Sequence, residues 1–398
     1  MKEVLIKEYN NLKNLKIKPK DGSWSFNCHF IEGAFAEVLG EKKGKFLVQF
    51  INQDNNEIIH ESTINNNMWT KTSIKYYINY LIKITNLENG EIYEHRYNAK
   101  NKRIYIHLDS SAIGDTLAWF PYIKEFQKKH DCHIICSTFH NNWFKNKYPE
   151  FEFIKPGTPA TDLYAMYSIG WHYNEDNTIN FNYNPTDFRK YGLQECSTDI
   201  LGVDYQEIKP RLSFLNTGSK IEGKYVVIAP HGSSHAKYWM YPKGWQTIID
   251  YLNNKGYKVV MITQEKLGDN WHDSKLGGTL TGVIDKTGDY PLSDRANDMM
   301  NAEFFIGIGS GLSWLNWALG GKTILISGFS APFSEFTDCE RIFTDASKAC
   351  NSCFNKVRLD AGDWEWCPEH KGTDRHFECT KTIHPNKIID AIERIKNS

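Results

Sequence analysis

The chain has 398 residues, with 47 basic and 48 acidic side chains and a net charge of −1. That length allows two or three domains, and the charge balance excludes nucleic acid as a main partner, because phosphate recognition needs a concentrated positive field. No run is long and apolar enough to span a membrane, and the charged stretch after Met1 lacks the apolar core of a secretory signal, so a cytoplasmic protein with reduced thiols is expected. Residues 1–98 read as a small antiparallel β domain. Apolar and polar residues alternate in Ser23–Phe30, Gly44–Ile51, Glu57–His60 and Tyr76–Ile84, and turn residues at Asp21-Gly22, Gly40 and Asn89-Gly90 separate these runs.

The texture changes at Lys102. A compact strand, Arg103–Leu108, leads through a loop into a helical run, Thr116–Lys129, and then into a second strand, His133–Ser137. Strand, helix and strand make one βαβ unit, the building block of a parallel sheet. A second set follows the polar stretch Asn216–Lys224. It comprises strand Tyr225–Pro230, loop His231–Lys237, amphipathic helix Trp245–Asn253 and strand Lys258–Thr263, then strands Glu303–Ile308 and Lys322–Ser327 with a helix between them. The expected architecture is α/β, with two Rossmann-like lobes (residues 99–216 and 217–398) behind the β domain. Ligands of such sheets bind outside the C-terminal ends of the strands, here in a cleft between the lobes.

Three loops at such strand ends carry candidate chemistry. The first ends in Gly114-Asp115 and opens a helix; glycine lets a ligand approach the backbone, and Asp115 either caps the helix or presents a carboxylate to the site. Asp109, at the end of the strand itself, competes with it. In the second loop Gly232, Ser233 and Ser234 offer N–H and O–H donors to phosphate oxygens, and Lys237 offers a point charge. The Gly-Lys-[Ser/Thr] of a Walker loop is missing. In the third loop Gly309, Ser310 and Gly311 place bare amides at a helix N-terminus, suited to a diphosphate. Each loop is a weak signal alone, and the set is stronger.

Four of the nine cysteines form Cys350-x2-Cys353-x13-Cys367-x11-Cys379. A Cys-x2-Cys knuckle supplies two soft ligands from one turn, and four thiolates fill a tetrahedral shell with no position left for substrate. A structural metal site is the leading reading, ahead of two disulfides or unrelated thiols. Zinc is the default from spacing, and iron suits the same ligand set.

The three loops, Ser110-Ser-Ala-Ile-Gly-Asp115, His231-Gly-Ser-Ser-His-Ala-Lys237-Tyr-Trp239 and Gly309-Ser-Gly-Leu-Ser313, resemble those of the family 9 ADP-heptose glycosyltransferases, which have the GT-B fold. With the leading β domain and the four trailing cysteines, the chain looks like the bacterial autotransporter heptosyltransferases over essentially its whole length. That resemblance implies an inverting transfer from ADP-heptose to serines of an autotransporter or adhesin passenger. It implies Asp115 as general base, Lys237 as the cation facing the leaving diphosphate, and Ser310 and Gly311 as diphosphate-binding positions. It implies iron at Cys350, Cys353, Cys367 and Cys379, and assembly as a homododecamer. The lipopolysaccharide-type members carry Asp before Thr-Gly and His after Leu-Ser, where this chain has Gly309 and Trp314. Those two side chains are therefore not expected to contact the sugar, and a related nucleotide sugar stays open as donor. Two alternative readings are a lipopolysaccharide-type enzyme acting on a glycan and a non-catalytic nucleotide-sugar-binding assembly protein.

Overall fold

The computed structural model describes Pro19 and residues 22–397. The chain forms two compact units, each discontinuous in sequence: the first comprises residues through 111, 119–188 and 195–205, the second residues 112–118, 189–194 and 206 onward.

The first unit opens with β1 (Ser25–His29), β2 (Phe35–Leu39), β3 (Lys45–Asn52), β4 (Glu57–Asn65), β5 (Met68–Lys71), β6 (Tyr80–Asn86) and β7 (Ile92–Arg96). They make two antiparallel sheets, ordered β1-β2-β5 and β4-β3-β6-β7. The alternation seen in the sequence is what builds the second sheet. Phe46, Val48 and Phe50 of β3 are buried, as are Tyr80, Ile82 and Ile84 of β6, and the register sets Val48 beside Ile84 and Phe50 beside Ile82. Side chains of period two thus share one face, and each stabilises the fold by roughly 1.5–3 kcal/mol on burial. The expected strand Tyr76–Ile84 begins four residues later, at Tyr80. The backbone before it bonds elsewhere: the Lys75 and Tyr77 amides donate to the carbonyls of Asn182 and Ile200.

The rest of this unit holds a parallel sheet of β8 (Arg103–Leu108), β9 (His133–Ser137), β10 (Glu152–Ile154) and β11 (Leu163–Ile169), ordered β10-β9-β8-β11. The single helical run expected from the sequence is two helices, α1 (Ile113–Trp119) and α2 (Pro121–His130). Pro121 causes the break. It lacks an N–H and clashes with a preceding helical turn, but fits the first turn of a new helix. Another short helix, α3 (Glu195–Leu201), follows later in the chain.

The second unit is built on a six-stranded parallel sheet of β12 (Tyr225–Ala229), β13 (Lys258–Met261), β14 (Ile284–Asp285), β15 (Phe305–Ile308), β16 (Thr323–Ser327) and β17 (Glu340–Phe343). The order is β14-β13-β12-β15-β16-β17. Strands β12, β15 and β16 are buried along their whole length, as near-continuous apolar runs require when both sheet faces are covered. Their covers include α4 (Gly244–Asn254), α5 (Leu292–Met300), α6 (Gly311–Ala318) and α7 (Pro385–Asn397). Helix α4 buries Trp245, Ile248, Ile249 and Leu252, and α7 buries Ile388, Ala391, Ile392 and Ile395, each a stripe of helical period. The chain leaves β12 toward one edge through β13 and β14, then returns to its other side as β15. That reversal is the switch point of a doubly wound sheet, where loops diverge and open a ligand crevice. The loops after β12 and β15 are the two expected to bind phosphate. Among the described residues, no helix is long and apolar enough to cross a membrane.

Candidate active site

The second unit gathers most of the candidate residues at that switch point. Residues 112–118, which carry Gly114 and Asp115, belong to it. A Cβ placed on Gly114 would lie 3.1 Å from the Trp314 indole, and one placed on Gly311 would lie 2.7 Å from the Ile113 Cβ. Only glycines permit this approach of the α1 and α6 N-termini. A Cβ on Gly232 would meet Ile308 at 3.3 Å and both Lys237 and Ser310 at 3.6 Å, so the loop after β12 lies directly on the loop after β15. Asp115 sits half-buried in the first turn of α1.

Lys237 is the centre of this group. Its Nζ donates to the Ser233 hydroxyl at 3.1 Å and lies 5.8 Å from the centroid of the Phe329 ring. Burial pushes its ammonium below the ordinary lysine range, and the negative charges of Asp115 and Glu335 oppose that shift. An anion arriving here meets a cation that is already poorly solvated, so neutralisation is worth more than it would be in water. Ser310 occupies the N-cap position of α6 without making a side-chain cap, and its Oγ is buried with no hydrogen-bond partner in the structure. A buried hydroxyl left unpaired costs about 1–3 kcal/mol unless a ligand oxygen completes it. Ser234 is used differently. Its hydroxyl accepts from the Ala236 amide and caps the short turn that carries Lys237, and its O–H is the donor it can offer a phosphate oxygen. His231 is held neutral, its pKa lowered to about 3 by burial and then by the nearby His272 and His235, so Lys237 is the cationic side chain of this loop.

Sequence reasoning did not identify Glu335. It lies on the loop after β16, and its carboxylate accepts from the Ser330 hydroxyl at 3.0 Å and pairs with Arg341 at 3.0 Å. Burial raises its pKa, and Arg341, Ser330 and Lys237 oppose the rise. A Cβ on Gly309 would fall 2.2 Å from the Glu335 Oε1. The carboxylate therefore fills the space that a side chain at position 309 would occupy. The general rule that strand ends host ligands pointed to this loop, but no local motif singled out the residue.

The four cysteines lie near enough to influence one another electrostatically, and Cys379 and the Ser352 amide pack on Gly328, just after β16. Cys353, Cys367 and Cys379 are buried and Cys350 half-buried. The Cys350 thiol is pushed up to about 12 by burial, with the negative potentials of Cys353 and Cys367 adding to it. The Cys379 thiol is raised by burial and by all three of the others. Four soft donors that repel each other as anions are what a bound cation relieves, so the donor set fits a tetrathiolate metal. Among the described residues, the potential ligand atoms that converge within 4.8 Å of one another are those of Cys350, His370 and Glu378, and no three of the four thiols do so. The Cys367-Pro-Glu-His370 spacing could have signalled the histidine. Glu378, however, is already engaged: it accepts from the Cys350 amide at 2.8 Å and pairs with Arg375 through two bonds of 2.7 Å.

Residues 189–343 match glycosyltransferase family 9 (heptosyltransferase). The chain is 36% identical over 365 residues to the autotransporter heptosyltransferase BAHTCr of Citrobacter rodentium, across 89% of this chain and 86% of that protein. It is 34% identical over 365 residues to the autotransporter heptosyltransferase TibC of Escherichia coli O78:H11, across 89% and 87%. Crystal structures of TibC describe an iron-containing dodecameric glycosyltransferase, at a TM-score of 0.83 and 31% identity over 97% of this chain and 99% of that one, and its complex with ADP-D-β-D-heptose, at 0.83 and 30% over the same shares. A further relative, BimC of Burkholderia thailandensis, is an inactive autotransporter heptosyltransferase, 30% identical over 81% of this chain and 75% of that protein. With this similarity over most of its length, and with parallel sheets that follow an antiparallel region in the chain, the chain belongs to the autotransporter heptosyltransferases, enzymes of glycosyltransferase family 9 with the GT-B fold.

Proposed function

We propose that this enzyme transfers a heptose from ADP-heptose to serine hydroxyls of an autotransporter passenger, with inversion at the anomeric carbon. The observation that carries this reading is the grouping of Lys237, the unpaired Ser310 hydroxyl and the α6 N-terminus beside Asp115. The serine oxygen attacks the anomeric carbon, the bond from that carbon to the diphosphate oxygen breaks, and ADP departs. Asp115 accepts the serine proton as general base. Lys237, with the amides and hydroxyl of Gly309, Ser310 and Gly311, stabilises the charge that develops on the leaving diphosphate. Gly232, Ser233 and Ser234 complete the phosphate cradle, and Gly114 brings the Asp115 turn close to the donor. Cys350, Cys353, Cys367 and Cys379 hold iron in a closed structural shell, and that metal supplies folding energy and no position for substrate. Cytoplasmic action and assembly as a dodecamer belong to the same proposal, and the likeness to TibC supports the dodecamer.

One observation favours a second reading, a nucleotide-sugar-binding protein without transferase activity: the relative BimC is inactive. Asp115 and Lys237 weigh against that reading here. Co-expression with a serine-rich passenger fragment, followed by intact mass measurement, tests the function. The expected result is addition of heptosyl masses that depends on Asp115. An unmodified passenger, or a mass belonging to another sugar, would overturn the acceptor or the donor assignment respectively.

A further inference from the structure

The residues that flank the cysteines do more than close a loop. The carbonyl of Trp364 accepts from the His235 amide at 3.2 Å, and the Glu365 carboxylate meets the His235 Nδ1 at 2.8 Å. His235 is fully buried and stands two residues before Lys237. Its other ring nitrogen faces the His272 Nδ1 at 3.3 Å, and the Trp364 and Trp271 rings pack edge-on against it. Glu365 is itself tied down by Lys275 at 2.7 Å. The knuckle end makes a second grip. The Ser352 amide donates to the Gly328 carbonyl at 2.9 Å and the Phe354 amide to the Phe329 carbonyl at 3.2 Å. Asn355 receives hydrogen bonds from the Ala331 amide at 2.8 Å and the Ser334 hydroxyl at 3.0 Å. Phe329 is the ring beneath Lys237, and Ser334 precedes Glu335. Gly328 is held so closely that a Cβ there would lie 2.8 Å from the Cys379 carbonyl oxygen.

We infer that the cysteine segment is a clamp on the donor loops, and that Glu365 is a positioning residue which acts through His235 to hold Lys237 at the diphosphate. This inference rests on the proposed ADP-heptose reading. The physical reason is the shortness of the turn. Ser234 caps it at one side, and His235, its first residue, ties it to other segments through hydrogen bonds at both ring nitrogens. A loop that must meet a ligand with sub-ångström accuracy needs such support from residues that never touch the ligand. Donation from Nδ1 to Glu365 selects the tautomer with a bare Nε2, which faces the same His272 Nδ1 that the Tyr238 hydroxyl meets at 3.0 Å.

The test is ADP titration of the full-length, metal-loaded protein by calorimetry, with Glu365→Ala and Glu365→Gln compared to wild type, alongside metal content, thermal melts and passenger kinetics. Glu365 is a third exposed and its removal leaves no buried cavity. Removal strips the buried His235 proton of its acceptor, so Glu365→Ala should keep wild-type metal content with a small loss of melting temperature, weaken ADP binding about tenfold and raise the donor KM by more than it lowers kcat. Glu365→Gln retains an acceptor for the Nδ1 proton and should recover most of that loss. Wild-type ADP affinity in Glu365→Ala, an affinity loss that tracks loss of metal, or a failure of Glu365→Gln to recover affinity overturns the clamp. Asn355→Ala gives an independent reading of the second grip, with the same expected pattern and the same overturning result. If the wild-type protein itself fails to bind ADP, the underlying functional reading falls instead.

Discussion

At the scale of single residues, two side chains should separate chemistry from binding. Asp115→Asn keeps the volume and removes the base. Passenger modification should fall at least about a hundredfold, within the range for lost general-base catalysis, while ADP binding persists; substantial transfer by this variant would refute the base. Lys237 has a definite pH signature. Burial lowers its pKa, so the cation is lost as pH rises through that lowered value. Donor affinity should fall on the alkaline side earlier than an exposed lysine would allow. Lys237→Arg, charged throughout, should flatten that limb; an alkaline limb unchanged in the arginine variant would remove Lys237 from the role. Gly232, Lys237, Ser310 and Gly311 were legible because a small-residue loop between a strand and a helix is a local pattern. Glu335 was not. It enters the group only because Ser330, Arg341 and the Gly309 backbone enclose its carboxylate, and none of these adjoins it in sequence.

At the scale of elements, the loop after β15 depends on space. The carboxylate facing Gly309 is held by Arg341, so Gly309→Ala must displace a paired, buried group. Melting temperature should drop by the equivalent of about 1–3 kcal/mol, the usual cost of overpacking, and ADP affinity should fall. Combining it with Glu335→Ala should restore part of the affinity; no recovery in the double variant would show that the clash is not with Glu335. The cysteine segment makes its own prediction. Cys353→Ser should lose metal and lower the melting temperature, and unchanged metal content and melt would remove Cys353 from the ligand set. The Pro121 break belongs to this scale too. The proline was visible, but helical periodicity runs across Thr116–Lys129 and conceals the boundary until the two helices are seen as separate.

At the scale of the whole molecule, half-buried neutral histidines bear on acid stability. Burial lowers the pKa of both His29 and His130 from 6.5 to about 4, with a nearby lysine adding to each. His130 packs its ring on Phe126 at 4.4 Å and has an Nε2 without a hydrogen-bond partner. A folded pKa below the unfolded one means the stabilisation is complete above about 6.5 and is lost as pH falls through 4, at most about 3 kcal/mol per group. Melting temperature should therefore decline steeply between those values, and His130→Phe should flatten the decline; a parallel profile in that variant would exclude His130 as a source. What the sequence determined by itself was the class of each region. Period-two alternation, apolar runs between turns, glycine loops and the cysteine spacing are all local consequences of backbone geometry and ligand chemistry. Only the tertiary structure decided which loops share the switch point of the six-stranded sheet, that Glu335 fills the space over Gly309, and that the cysteine segment grips the lysine loop through His235. These are contacts between residues tens to more than a hundred positions apart, and a side chain's role there is set by what surrounds it in space, which no local pattern encodes.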